Sequence, residues 1–316
     1  MARASEKNKW LTPRVKLAIK LALSALAMYI VFRKLEFKMV WELLRKSELT
    51  YLILALLLFN VSKFLSAARL RSILNALELR LNLKFHLRLC YVGMFYNLFL
   101  PGGIGGDGYK VVYLNKSFGT GLKLLLASVL LDRVGGAAIL LSMAFAFSLA
   151  VLPFVDSLPW YSSYLCIAAS ILCIPALFIG IKLLFPSFWS ARFGILLWSV
   201  GVQSVQLLCA YAILLAFGVS ELFTVYFMLF LVSSLASMLP ISFGGIGLRE
   251  LFFLYAAKYL SIDETVAVSL GLMYFVVIAL SSFAGVFISL PDSPEPEQAP
   301  SDAALMGEAA VQSARQ

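Results

Sequence analysis

Leu100-Pro101-Gly102-Gly103-Ile104-Gly105-Gly106-Asp107-Gly108-Tyr109-Lys110 breaks an apolar chain, and Leu239-Pro240-Ile241-Ser242-Phe243-Gly244-Gly245-Ile246-Gly247-Leu248-Arg249-Glu250 breaks it again in the same way. In each copy a Gly-Gly pair stands four and five residues after the proline, and a cation stands nine after it. The same 139 residues separate Pro101 from Pro240 and Lys110 from Arg249. Proline withdraws a backbone donor and ends the helix before it. The glycines admit left-handed backbone and close approach by another group. Backbone of this kind cannot face lipid, so it is buried in protein or lines a hydrated cavity.

The rest of the chain supplies the lipid. Of 316 residues, 61% are hydrophobic and 14% charged, against roughly 45–50% and about 25% in a soluble domain. The mean hydropathy is +0.91. The apolar stretches are continuous and rich in Leu, Ala and Phe rather than alternating, which excludes an outer-membrane barrel and predicts helical spans at 15–32, 50–68, 124–152, 161–185, 195–218 and 264–290. Each approaches or exceeds the ~20 residues needed to cross hydrocarbon. The net charge of +9 sits at segment ends, as an orientation signal and a contact for anionic lipid, not as a nucleic-acid footprint. The basic N-terminus, residues 1–14, and the basic segment 69–88 are expected in the cytoplasm, with 153–160 and 219–222 outside. Basic residues 33–48 contradict that order unless the stretch lies on the membrane surface as an amphipathic helix. From Pro291 the composition turns to Pro, Glu, Ala, Ser and Gln, so 291–316 is read as a disordered tail behind a transmembrane domain of 15–290.

The twelve residues 89–100 reach only about 18 Å, midway through a ~30 Å core. Residues 89–120 therefore read as a re-entrant hairpin. Three crossings separate it from the second break, an odd number, which sets the two hairpins on opposite faces as an inverted repeat. The 18 uncharged residues 222–239 would also suffice to cross outright. Each returning half-helix begins just after its glycines and points free N–H groups at the turn, an end that attracts anions. Lys110 and Arg249 add full positive charge a turn further on, with Asp107 and Glu250 as the opposite sign. The expected fold is an all-α polytopic membrane bundle with two Gly-broken, re-entrant hairpins.

Other polar residues have two readings. Asp132-Arg133 lies inside the span 124–152 unless that span starts at Val134, and intramembrane charge is functional by default. Gln203 and Gln206 share a helix face for interhelical hydrogen bonds or for a cavity. Lys63 reads as a snorkelling residue near the inner end of its span. Asn97 caps or lines the first break, and His86 falls in a basic exposed loop. Cys90, Cys166, Cys173 and Cys209 lie in apolar segments without metal-ligand spacing and read as packing residues, so no metal or other cofactor is expected.

Asn97-Leu98-Phe99-Leu100-Pro101-Gly102-Gly103 through Gly106-Asp107, then Leu131-Asp132-Arg133, then Leu239-Pro240 through Gly244-Gly245-Ile246-Gly247-Leu248-Arg249-Glu250 occur in that order. Over residues 10–290 they resemble the transmembrane-region family of lysylphosphatidylglycerol synthase, also called the flippase-like domain family. The resemblance implies a bundle that moves polar-headgroup lipids between leaflets. It points to Pro101, Gly105, Gly106, Asp107, Asp132, Arg133, Pro240, Gly244, Gly245, Arg249 and Glu250, with Lys110 standing where the family often has arginine. Asn97, Lys110 and Gln203 complete the expected substrate-binding set.

Full-length synthases of the family add a soluble catalytic domain, whereas 26 residues follow residue 290, so aminoacyl transfer by this chain is not expected. The leading expectation is a translocase in the cell (inner) membrane, with both termini cytoplasmic. It handles a membrane phospholipid or a polyprenyl-phosphate-linked lipid and binds no nucleic acid. A homo-oligomer or a separate lipid-modifying enzyme stays open as a partner. With no nucleotide-binding P-loop, any drive is a gradient or mass action. The alternatives are a secondary transporter of a small organic anion, and a membrane partner or enzyme acting on a lipid-linked precursor.

Overall fold

The computed structural model describes residues 42, 44–99, 105–154, 159–238, 248–260 and 262–291. The expected first span, most of 33–48, both proline-to-glycine breaks themselves and the tail beyond Pro291 lie outside the described residues. Within them the chain is helical and carries no strand. In order come α1 (Leu49–Asn75), α2 (Leu83–Phe99), α3 (Gly105–Phe118), α4 (Leu122–Ser148), α5 (Ser162–Leu184), α6 (Arg192–Ala216), α7 (Phe223–Ser237), α8 (Leu248–Leu260) and α9 (Glu264–Phe287). Five of these, α1, α4, α5, α6 with its 3₁₀ lead-in from Pro186, and α9, are long and apolar enough to cross a membrane. The chain is an all-α, multi-pass membrane protein.

Four short helices fall between the long ones. α2 has 17 residues and α3 has 14; α7 has 15 and α8 has 13. At 1.5 Å per residue they reach about 20–26 Å, less than the ~30 Å hydrocarbon thickness. Of the stretch 222–239, the described helix α7 takes 15 residues, Phe223–Ser237.

Two helix bounds differ from expectation for physical reasons. α2 starts at Leu83, not residue 89, because the Asn82 side chain accepts the Phe85 N–H at 2.8 Å and caps the first turn. His86 is thereby fully buried in α2 rather than exposed in a loop, its Nδ1 3.0 Å from the Asn82 carbonyl. α1 runs seven residues past the expected end at 68 because its polar residues face inward. Arg69 is 7% exposed and Ser62 fully buried, so neither meets lipid. Lys63 then sits at mid-helix, not at an end.

The long and short helices form two like sets, α1–α4 and α6–α9, with lengths of 27, 17, 14 and 27 against 25, 15, 13 and 24. Their packing is reciprocal. α4 packs on α7 as α9 packs on α2, α2 on α3 as α7 on α8, and α3 on α4 as α8 on α9. The two leading helices, α1 and α6, lie antiparallel along their whole length. The Glu48 N–H donates to the Ala216 carbonyl, Cys209 meets Ala55, Arg69 meets Ser199, and Ser72 lies against Gly194. Small residues line this seam: Ala55, Ala67 and Ala210 have no exposed surface. Lipid gives no hydrophobic drive for helices to associate, so close backbone approach over small residues supplies the packing energy. α5 stands apart on the rim, its 18-residue window only 11% buried, with Tyr164, Ile171, Leu172 and Leu183 facing outward.

Candidate functional site

Charge converges where the two sets meet. A cavity of about 350 Å³ opens in the bundle, lined by residues of α1, α2, α3, α4, α6, α7, α8 and α9. Lys63, Arg69, Asp107, Asp132, Arg133 and Arg249 all line it.

Four charges form two ion pairs across helices. Arg69 Nε of α1 donates to Asp132 Oδ1 of α4 at 2.7 Å, and its Nη1 donates to Ser199 Oγ of α6 at 3.0 Å. Arg133, the next residue on α4, donates to Asp107 Oδ2 of α3. Adjacent residues on a helix point in different directions, so Asp132 and Arg133 each take a separate partner. The pair lies inside the 27-residue α4, ten and eleven residues from its start. Room for the Arg69 guanidinium comes from Gly136, where a Cβ would stand 2.9 Å from Nη1. Asp107 also accepts from Lys110 Nζ at 3.2 Å, one turn along α3.

The start of α3 is held by α2. Asn97 Oδ1 accepts the Gly106 N–H at 2.7 Å, so the side chain closing one short helix caps the next. Gly106 is obligatory in that crossing, because a Cβ there would lie 1.9 Å from the Gly93 carbonyl oxygen.

The second set contributes a different chemistry. Arg249 of α8 is 7% exposed. Its Nη2 donates to Ser234 Oγ at 3.2 Å, and its guanidinium carbon lies 4.8 Å from the Tyr274 ring centroid. Gln203 Nε2 is 3.4 Å from the Gly136 carbonyl, and both Gln203 and Gln206 line the cavity. The two readings of that glutamine pair are thus both realised.

Of the residues expected at a site, the cavity gathers Asn97, Asp107, Asp132, Arg133, Gln203 and Arg249. Lys110 joins through Asp107, and Gly106 through Asn97. Gly105 begins α3. Pro101, Pro240, Gly244 and Gly245 lie outside the described residues. Glu250 lies in α8 with no side-chain position described.

Lys63 and Arg69 were not expected there, nor Ser66. Their spacing of three residues along α1 is the signal that could have found them. Lys63 Nζ sits 4.3 Å from the Phe59 ring centroid and forms no ion pair among the described residues. The four cysteines are unpaired thiols. No group of metal-ligating side chains occurs among the described residues.

Among the described side chains, five cations (Lys63, Arg69, Lys110, Arg133, Arg249) thus stand against two acids, Asp107 and Asp132. Each charge taken from water costs several kcal/mol even after relaxation.

These features define a polytopic helical membrane protein with a cationic cavity inside the bundle. The profile described as "Lysylphosphatidylglycerol synthase TM region" matches residues 17–285, and the chain belongs to that family. No curated protein and no solved structure matches.

Proposed function

We propose that this protein is a lipid translocase that carries a phosphate-bearing, polar-headgroup lipid between leaflets. The observation that carries the reading is the convergence of Lys63, Arg69, Arg133 and Arg249 on one cavity inside a membrane bundle, with Lys63 in no ion pair among the described residues. A lipid phosphate supplies the missing negative charge. Charge-assisted hydrogen bonds from Lys63, Arg133 and Arg249 replace its water, while the acyl chains stay in the bilayer.

The matched sets support reading the halves as an inverted repeat, because their equivalent leading helices, α1 and α6, run in opposite directions. On that reading α2–α3 and α7–α8 are re-entrant hairpins entering from opposite faces. Broken helices meeting at the midplane are the usual setting for such a transport site. The family places the chain among membrane proteins tied to lipid chemistry. Both aspartates are engaged in ion pairs, which favours a role in holding charge over acid–base catalysis, so we read the protein as a carrier, not an enzyme. Residence in the cell membrane with cytoplasmic termini, and a phospholipid or polyprenyl-phosphate lipid as cargo, complete the proposal.

Reconstitution in liposomes with leaflet-labelled phosphatidylglycerol tests it. Lys63→Ala and Arg249→Ala each slow exchange by about tenfold, equivalent to roughly 1.4 kcal/mol, in protein whose thermal unfolding is unchanged. Exchange at the wild-type rate in both variants would overturn the reading.

A further inference from the structure

Next to the charged cavity is a second hollow, about 480 Å³, between α4 and α7. Its walls are Val134, Ala137, Val232, Leu235, Ala236 and Met238, with Arg133 as the one charged group. Arg133 and Met238 also line the charged cavity. The two hollows therefore meet at this helix seam. Val134 is 41% exposed, so the apolar hollow lies on the outer, lipid-facing surface of the bundle.

The reciprocal seam, between α2 and α9, is shut. Gly285 of α9 packs so closely on α2 that a Cβ would stand 2.3 Å from the Tyr91 carbonyl oxygen and 2.8 Å from Phe95 Cβ. Hydrogen bonds tie the same region to α1: Tyr91 donates its hydroxyl to Asn60 Oδ1, and Asn60 Nδ2 donates to Ser281 Oγ at 3.1 Å. Both seams are packed along their helices, and they differ locally: the glycine contact closes α2–α9 where the hollow indents α4–α7.

We infer that the α4–α7 seam is the side entrance of the site: an anionic phospholipid lays an acyl chain along Val134, Ala137, Leu235 and Ala236 while its phosphate passes Arg133 into the cavity. This inference rests on the lipid reading and sharpens it. The outer walls are apolar apart from the threshold cation, which suits one molecule carrying an apolar chain and an anionic head. A soluble anion gains nothing from the apolar part. Arg133 is the threshold because it belongs to both hollows, and its charge complements the phosphate. A chain held there leaves the headgroup one step from Lys63 and Arg249, so the lipid never has to expose its head to hydrocarbon.

Photolabelling tests the entrance directly. Full-length protein in nanodiscs is irradiated with phosphatidylglycerol carrying a diazirine on its acyl chain, and adducts are mapped by mass spectrometry. Adducts on residues 134–137 and 232–236 exceed those on the rim residues Ile171 and Leu172 by about tenfold, a preference of roughly 1.4 kcal/mol. Lys63→Ala lowers that excess and leaves the rim adducts unchanged. A diacylglycerol probe with the same diazirine and no phosphate shows no excess.

Even labelling of α4, α5 and α7, or an equal excess with diacylglycerol, overturns the inference. Ala236→Trp fills the hollow and provides a second arm. It slows leaflet exchange by about tenfold and leaves binding of soluble glycerol phosphate by detergent-purified protein unchanged. If exchange in Ala236→Trp matches wild type, the entrance fails while the translocase reading stands. If wild-type protein exchanges no lipid, the translocase reading fails, and the labelling pattern still decides the entrance.

Discussion

The two halves share a skeleton and differ in charge. α1–α4 bring Lys63, Arg69, Arg133 and two carboxylates to the cavity, with Arg69–Asp132, Arg133–Asp107 and Lys110–Asp107 paired and Lys63 outside those pairs. α6–α9 bring Arg249, set on a serine hydroxyl and the face of Tyr274, with Gln203 and Gln206 beside it. Apart from Lys63, the first half's cavity charges pair with one another, and the pairs clamp α1 to α4 and α4 to α3. The second half sets the Arg249 guanidinium against a hydroxyl and an aromatic face among its described contacts. Similar helix lengths and reciprocal packing therefore do not imply similar chemistry: the described ion pairs all lie in the first half, while the second half adds Arg249, Gln203 and Gln206 to the same cavity.

The largest effect expected from that contrast belongs to Asp107. Asp107→Asn leaves Lys110 and Arg133 without their shared partner, and removing one member of a buried pair costs about 3–5 kcal/mol. Thermal unfolding in detergent should fall accordingly. An equal loss in Arg249→Met would erase the contrast between the halves.

Next comes Arg69→Met, which strands the Asp132 carboxylate and lowers stability by about 3 kcal/mol. Adding Asp132→Leu recovers most of it, because an apolar pair of similar volume avoids the desolvation cost. Unfolding midpoints of the single and double variants check this, and a double variant no more stable than the single one would mean the pair is not a clamp.

Arg249→Lys keeps the charge and loses the planar guanidinium on Tyr274 and Ser234. It should weaken lipid exchange by about 1 kcal/mol, several-fold, with the unfolding midpoint unmoved. The smallest effect sharpens the hinge between α2 and α3. Asn97→Ala removes the acceptor for the Gly106 N–H and lowers stability by about 1 kcal/mol, read in the same unfolding assay.

How much of this was legible in the sequence depends on what lipid exposure forbids. The paired Gly-rich breaks marked Asn97, Asp107 and Arg249 because broken backbone must find a polar lining. These three residues, which flank the breaks, line the cavity, while the breaks themselves lie outside the described residues. Asp132-Arg133 was ambiguous since a charge near a span end snorkels freely; both residues are engaged by partners on other helices, Arg69 and Asp107.

Lys63 and Arg69 were misplaced for the same reason. Ending a span at the first cluster of charges assumes that the charges face lipid. α1 continues past them because Lys63, Ser66 and Arg69 recur every third residue and turn to the cavity. His86 was misjudged because the cap at Asn82 that starts α2 early is a single side-chain hydrogen bond, which a run of basic residues outweighs in any reading of composition. The antiparallel seam of α1 and α6 left almost no trace. Alanine, cysteine and serine in an apolar run look alike whether they meet a helix or a lipid chain.

The central claim is that a lipid phosphate sits among Lys63, Arg133 and Arg249. A cryo-EM map of the protein in nanodiscs of phosphatidylglycerol tests it most directly. The account predicts headgroup density inside the cavity, with the phosphate in hydrogen-bonding reach of the Lys63 ammonium and an acyl chain leaving between α4 and α7. A cavity holding only water, with ordered lipid confined to the rim, would contradict it.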